Sequence, residues 1–324
     1  MTSKEGIIKL IEEHGSLSVN ELAENLMVSR QMIHLALLEL SEANKIQKIG
    51  RPPKTVYQLK TEDRQVNTPL HTDQEKFLKK NFIIITETGQ LKEGSEGFQL
   101  WCSQRKLPFE KTVNEYTVTH QRYQDYYNAD GFINGMEKLR GTKGYEAINL
   151  DNLYYLDFYA IERFGKTRLG TILHYAKQGQ SKLLMKLLVS ETKQKVEQLC
   201  DLIKVDGVGF IPPTIRREVQ LMKYLQAHYS LKLPLIKLNK TSGMIPVPQK
   251  SLGKLEERIT NAQQTFSVPE TRKFKHILLI DDAVGSGATV NEIAGKLKKK
   301  GISEKVSGLA ITGSFKGFDV ITDV

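Results

Sequence analysis

Residues 277–289, "ILLIDDAVGSGAT", decide how the C-terminal half of this chain is read. Four apolar residues, Ile277 to Ile280, run into the adjacent carboxylates Asp281 and Asp282. Gly285, Ser286, Gly287 and Ala288 then lead to Thr289. A short apolar run bounded by a glycine turn reads as a buried strand, and the residues from Thr289 onward read as a helix. In an open parallel sheet, ligands bind at the carboxyl ends of the strands, which is where both aspartates would emerge. The small residues leave backbone N–H groups accessible, and the following helix would aim its N-terminus at them. That combination is an anion cradle for a phosphate. Two carboxylates next to it would repel a phosphate. They suit a group with donors, such as ribose hydroxyls, or a Mg2+ ion carried by the ligand. A sugar with a 5′-phosphate and free ring hydroxyls satisfies both halves.

Rival motifs fail on spacing. A P-loop needs a lysine directly after its last glycine, and Ala288 follows Gly287 here. A dinucleotide fingerprint needs a third glycine where Val290 stands. The plain alternative is a strand–turn–helix corner with a solvated acid pair, and the cost of an acid pair at a buried strand end weighs against it.

The rhythm around this stretch is α/β from about residue 149 onward. "NLYYLDFYAI" is strand-rich, "RLGTILHYAKQGQSKLLMKLLVSE" a helix pair, and "VDGVGFIPPTI" a buried strand running into a turn. "RREVQLMKYLQAHYS" reads as a helix, "HILLID" as a strand, "TVNEIAGKLKKKG" as a helix and "VSGLAIT" as a last strand. Strands alternating with helices of this length predict a mostly parallel sheet covered on both faces.

Residues 1–60 read differently. Ile7, Ile8, Leu10 and Ile11 give a first helix that stops near Gly15. Ser18 with Glu21 three residues on is a capping-box pattern for a second helix. A third, "RQMIHLALLELSEANK", carries Ile33, Leu37 and Leu40 on one face, and two strand-like pieces flank Gly50 to Pro53. Helices followed by a basic hairpin make a winged helix-turn-helix pattern. Ser29, Arg30, Gln31 and His34 would project from the start of the recognition helix toward base edges. Lys45, Lys48, Arg51 and Lys54 would meet phosphates or a minor groove. Yet residues 1–60 hold eight Lys/Arg against seven Asp/Glu, so the positive charge sits in the wing. Leu35 and Leu38 fall on a face that should be exposed, a contact for the rest of the chain or for a second subunit, as in a homodimer.

Residues 61–79 are polar and aperiodic and read as a linker. Residues 80–148 hold a strand, "NFIIIT", and tyrosine-rich helical material whose aromatics are expected to pack rather than to stack on nucleic acid. At 324 residues the chain allows two to three domains at about 100–200 residues each. Its net charge of +10 points to a phosphate-bearing partner or to a lysine-rich surface. Cys102 and Cys200 form no C-x-x-C pair, which fits a reducing cytoplasm. No uncharged apolar run approaches the ~18 residues of a membrane span.

The 277–289 stretch resembles the phosphoribosyl-pyrophosphate (PRPP) signature of type I phosphoribosyltransferases, with Gly285 where many members carry threonine or serine. More of residues 150–324 is similar to the ComF-like branch of that fold. The segments are "TILHYAKQGQSKLLMKLL", "GVGFIPPTIRREVQ", and Gln249, Leu252, Arg258, Asn261 and Phe266 in "PQKSLGKLEERITNAQQTF". ComF-like proteins often begin with a cysteine-rich zinc element, which this chain lacks. The resemblance implies a type I phosphoribosyltransferase fold in which Asp281 and Asp282 hold the ribose hydroxyls and the Mg2+ shell. Gly285 to Thr289 would then cradle the 5′-phosphate, with Ser286, Gly287 and Ala288 between them. Pro213, Thr214, Arg216 and Arg217 would face pyrophosphate. Lys250, Lys254 and Arg258, in a flexible cover, would neutralise the leaving group. Two functions stay open: a DNA-binding regulator that senses PRPP or a related nucleotide, as Gram-positive purine repressors join a winged helix to such a domain, or an active phosphoribosyl- or nucleotide-modifying enzyme directed to nucleic acid. Certain retrons are accompanied by components of both kinds, which adds an anti-phage effector role to the second.

Overall fold

The computed structural model describes residues 3–43, 45–50, 55–60, 70–215, 217–241 and 252–314. They divide into two units, one within residues 1–69 plus 86–90 and one within 70–85 plus 91–324.

In the first unit, α1 (Ser3–His14), α2 (Val19–Leu26) and α3 (Arg30–Glu42) precede the antiparallel pair β1 (Ile46–Ile49) and β2 (Val56–Leu59). Leu17 bridges to Tyr57, adding a third strand segment to the wing. The capping box forms: Glu21 N donates to Ser18 Oγ, and Ser18 N donates to the Glu21 carboxylate. Ile7, Ile11, Leu22, Ile33, Leu37, Leu40 and Ile46 close one small core.

The second unit begins with α4 (Thr72–Asn81), β3 (Ile83–Ile85), β4 (Leu91–Glu93), α5 (Gly94–Gln104), α6 (Phe109–Gln124), β5 (Ile133–Asn134) and α7 (Met136–Gly141). It continues with β6 (Asn152–Phe158), β7 (Ala160–Ile161), β8 (Gly165–Lys166), α8 (Arg168–Gln178), α9 (Lys182–Leu202), β9 (Gly207–Phe210) and α10 (Leu221–Tyr229). It ends with β10 (Asn239–Lys240), α11 (Leu255–Thr265), β11 (Phe266–Ser267), β12 (Phe274–Val284), α12 (Ala288–Lys299) and β13 (Ser303–Gly313). The central sheet has five strands in the order β5-β6-β13-β12-β9. All its pairings are parallel except that of β5 with β6.

Side chains alternate across β12 as the pleat requires. Ile277 and Leu279 enter a core shared with α12 and the aromatic residues of α5 and α6, while Leu278 and Ile280 enter a second core shared with α8, α9 and α10. Helices therefore cover both sheet faces, the mixed α/β arrangement expected from the alternating pattern.

Two segments depart from that pattern. Residues 72–79, the latter part of the expected linker, belong to α4, which runs on to Asn81 and whose Leu78 is fully buried; residues 61–69 lie outside the described residues. The segment 80–148 shares the main core rather than forming one of its own: Phe82, Phe98 and Tyr116 pack edge-on or tilted, and Tyr116 and Trp101 meet Phe164 from beyond β6. Its aromatics are packing residues. Among the described residues, no helix is long and apolar enough to cross a membrane.

Candidate functional site

The carboxyl end of β12 opens onto a cavity of about 210 Å3. Pairing with β13 carries β12 through Val284, opposite Gly313, four residues past the expected end of the strand. Its other neighbour, β9, stops at Phe210 opposite Ile280, so Asp281 and Asp282 lie where one neighbouring strand has ended. The turn after β9 fills that gap. Pro213, Thr214 and Arg217 line the same cavity as Asp281, Asp282 and the loop from Gly285 to Thr289. Arg258 joins them from α11. Arg216 and Lys250 lie outside the described residues.

The two acids do not point the same way, because successive strand residues face opposite sheet faces. Asp282 is buried and ion-paired with Lys177 at the end of α8. Asp281 is part-exposed, and its carboxylate accepts a hydrogen bond from Asp282 N at 2.8 Å. Burial first, and then the neighbouring charge of Asp282, push the Asp281 carboxyl up to about 7, against the pull of Lys177 and Lys240. The folded state therefore holds a proton that the unfolded chain releases near pH 4, and stability falls as pH rises from there to about 7. Asp281→Asn keeps the acceptor and removes the charge. At pH 8 it is expected to melt later than the parent, by about 1–2 kcal/mol of stability for a part-exposed group, and at pH 4 to match it. Thermal melts across this pH range check the difference; equal melting at pH 8 would refute a destabilising charge at Asp281.

The loop itself is built by backbone geometry. Gly287 is the N-cap of α12 at φ 86, and the residues from Gly285 to Thr289 around this helix start line the cavity. A Cβ on Gly287 would stand 2.8 Å from Leu139 Cδ1, so any other residue strains the backbone at this φ and also forces Leu139 to shift. Tyr145 donates its hydroxyl to Ser286 O at 2.8 Å and fixes the loop from outside. Ala288 N donates to Ser286 Oγ at 3.4 Å, and Ser286 is buried.

Two basic residues stand differently from expectation. Arg217 donates to the Lys177 carbonyl, and at 2.6 Å to Gln178 Oε1, so its guanidinium stitches the β9 turn to the end of α8. Arg258 sits in no free cover: α11 is a helix, and Arg258 is buried, with Nε donating to Leu252 O at 2.7 Å. Lys254 is exposed at the N-cap of that helix.

Sequence reasoning missed Lys177 and Lys240. Lys177 falls inside a quoted motif, but nothing in the spacing ties it to Asp282. Lys240 stacks its Nζ 4.0 Å from the centre of the Phe266 ring, and among the described residues that buried Nζ has no hydrogen-bond partner. Burial pulls its ammonium down to about 8 against the pull of Asp281. A buried cation without an acceptor fits a site that takes anions. Among the described residues no three His, Cys, Asp or Glu cluster as a metal nest.

In the first unit, Arg30, Gln31 and His34 are exposed on α3, and Lys48 is exposed on β1. Ser29 is exposed as the N-cap of α3, and its Oγ accepts from Met32 N at 3.3 Å. Arg51 and Lys54 lie outside the described residues.

A family model described as a DeoR-like helix-turn-helix domain matches residues 4–50. That match covers α1 to β1 and supports the winged helix-turn-helix reading of the N-terminal unit. No curated protein matches the chain.

Proposed function

We propose that this chain is a DNA-binding regulator whose α/β unit binds PRPP or a related nucleotide together with Mg2+. The observation that carries the ligand half is one cavity lined by the acid pair, the start of α12 and the turn after β9. Asp281 and Asp282 would hold the ribose hydroxyls and the Mg2+ shell. The amides from Gly285 to Thr289 would take the 5′-phosphate, and Lys240, Arg258, Thr214 and Arg217 would surround the more remote phosphates. The DNA-binding half rests on the DeoR-like match and on the exposed Arg30, Gln31 and His34. Two copies would read paired half-sites, as dimeric helix-turn-helix proteins do.

Two experiments test this. Arg30→Ala combined with Arg51→Ala is expected to weaken retention of a bound duplex by about tenfold or more and to flatten its salt dependence. Unchanged affinity would move the winged helix to protein contact. Sensing and turnover separate on pyrophosphate release from PRPP with a panel of bases and nucleic acids: sustained release would make the chain a transferase and reject the pure sensor.

A further inference from the structure

The recognition helix carries a feature that neither the family match nor the cavity accounts for. Gln31, His34, Leu35 and Leu38 follow the spacing i, i+3, i+4, i+7, and this line lies opposite the buried Ile33, Leu37 and Leu40. Leu35 is 60% exposed and Leu38 58%, so two leucines stand in the middle of the helix's outermost face. The same spacing is how a helix lying along the major groove presents four side chains to base edges.

We propose that α3 reads an A·T-rich half-site, with Gln31 bonded to adenine and Leu35 and Leu38 packed against thymine methyl groups. The assignment rests on the DNA-binding reading above. The chemistry is specific on both sides. A glutamine amide matches the N6 donor and N7 acceptor of adenine, and thymine alone places a methyl group in the major groove. The DeoR-like match over residues 4–50, more than charge, favours DNA over a protein partner for this face. Arg30 stands at the positive end of α3, and Lys48 is exposed on the wing. Of the acids toward the far end, Glu39 is held by Lys4 and Glu42 is exposed. With eight Lys/Arg against seven Asp/Glu in residues 1–60, ionic attraction to phosphates is modest. Apolar contact with bases then supplies affinity as well as selectivity.

The test starts from duplexes selected out of a random pool by the full chain. Each thymine is then replaced by deoxyuridine, which removes only the methyl group. Affinity is expected to fall about fourfold for each methyl that a leucine covers, the value of one buried carbon. Leu35→Ala and Leu38→Ala should each bind thymine and uracil duplexes alike at the position lost, and Gln31→Ala should relax the preference for adenine. Both leucines lie outside the core, so melting of the variants controls for folding. Full affinity on uracil duplexes, or thymine discrimination that survives the leucine changes, overturns the assignment and leaves DNA binding intact. Loss of self-association in the leucine variants, measured by sedimentation while thymine discrimination persists, would give this face to a second copy instead. A pool that yields no duplex sinks the DNA-binding reading itself, and the assignment with it.

Discussion

Adding PRPP with Mg2+ at about a hundred times its Kd is expected to raise the melting temperature of the full chain by about 5–10 °C. A ligand bound only by the folded state contributes about 2.7 kcal/mol at that excess, and a unit of this size gains about 2–4 °C per kcal/mol. The doubly substituted chain Asp281→Asn, Asp282→Asn should show no shift. Its own melting temperature needs to be measured first, because removing Asp282 strands Lys177 beside a buried amide. The shift should also grow between pH 6 and pH 8. Mg2+ takes the ionised carboxylate, and burial keeps part of the Asp281 population protonated until about pH 7. An unchanged melting temperature in the unsubstituted chain would end the phosphoribosyl assignment.

Gly287→Ala is the second large effect. A left-handed alanine costs about 1–2 kcal/mol, and its Cβ would meet Leu139, which is 1% exposed and has little room to yield. Together these are expected to cost about 2–4 kcal/mol, lowering the melting temperature by roughly 5–12 °C. Leu139→Ala in the same chain should recover the steric part but not the backbone part, so the two substitutions should be non-additive. Melting within about 1 °C of the parent would mean that the loop holds another conformation.

The winged helix, the parallel sheet and the acid-plus-glycine loop were legible in the sequence because each carries a local signature: a capping box at Ser18 and Glu21, an apolar run at 277–280, and small residues at 285–288. What escaped reading lacks such a signature. Helix α4 has Phe77 and Leu78 side by side among polar residues, so no apolar period announces it, and burial by its neighbours holds it in place. Helix α11 does have a buried line, Leu255, Arg258 and Ala262, but its central member is an arginine, which a hydrophobicity pattern scores as surface. Lys177 reaches Asp282 across more than a hundred residues of chain. The divergence of the two acids follows from the length of β13, which keeps β12 in a strand after β9 has ended.

The hold of Leu139 and Tyr145 on the loop at 285–287 bears on where the gene can be cut. A fragment beginning near residue 149 would keep every acid and glycine of the motif. It would lose the side chains that press the loop into shape, and it would bare Phe158 and Phe164, which are 3% exposed in the whole chain. Expression boundaries for the α/β unit belong at about residue 70, ahead of α4. A shorter clone carries the motif without its mould.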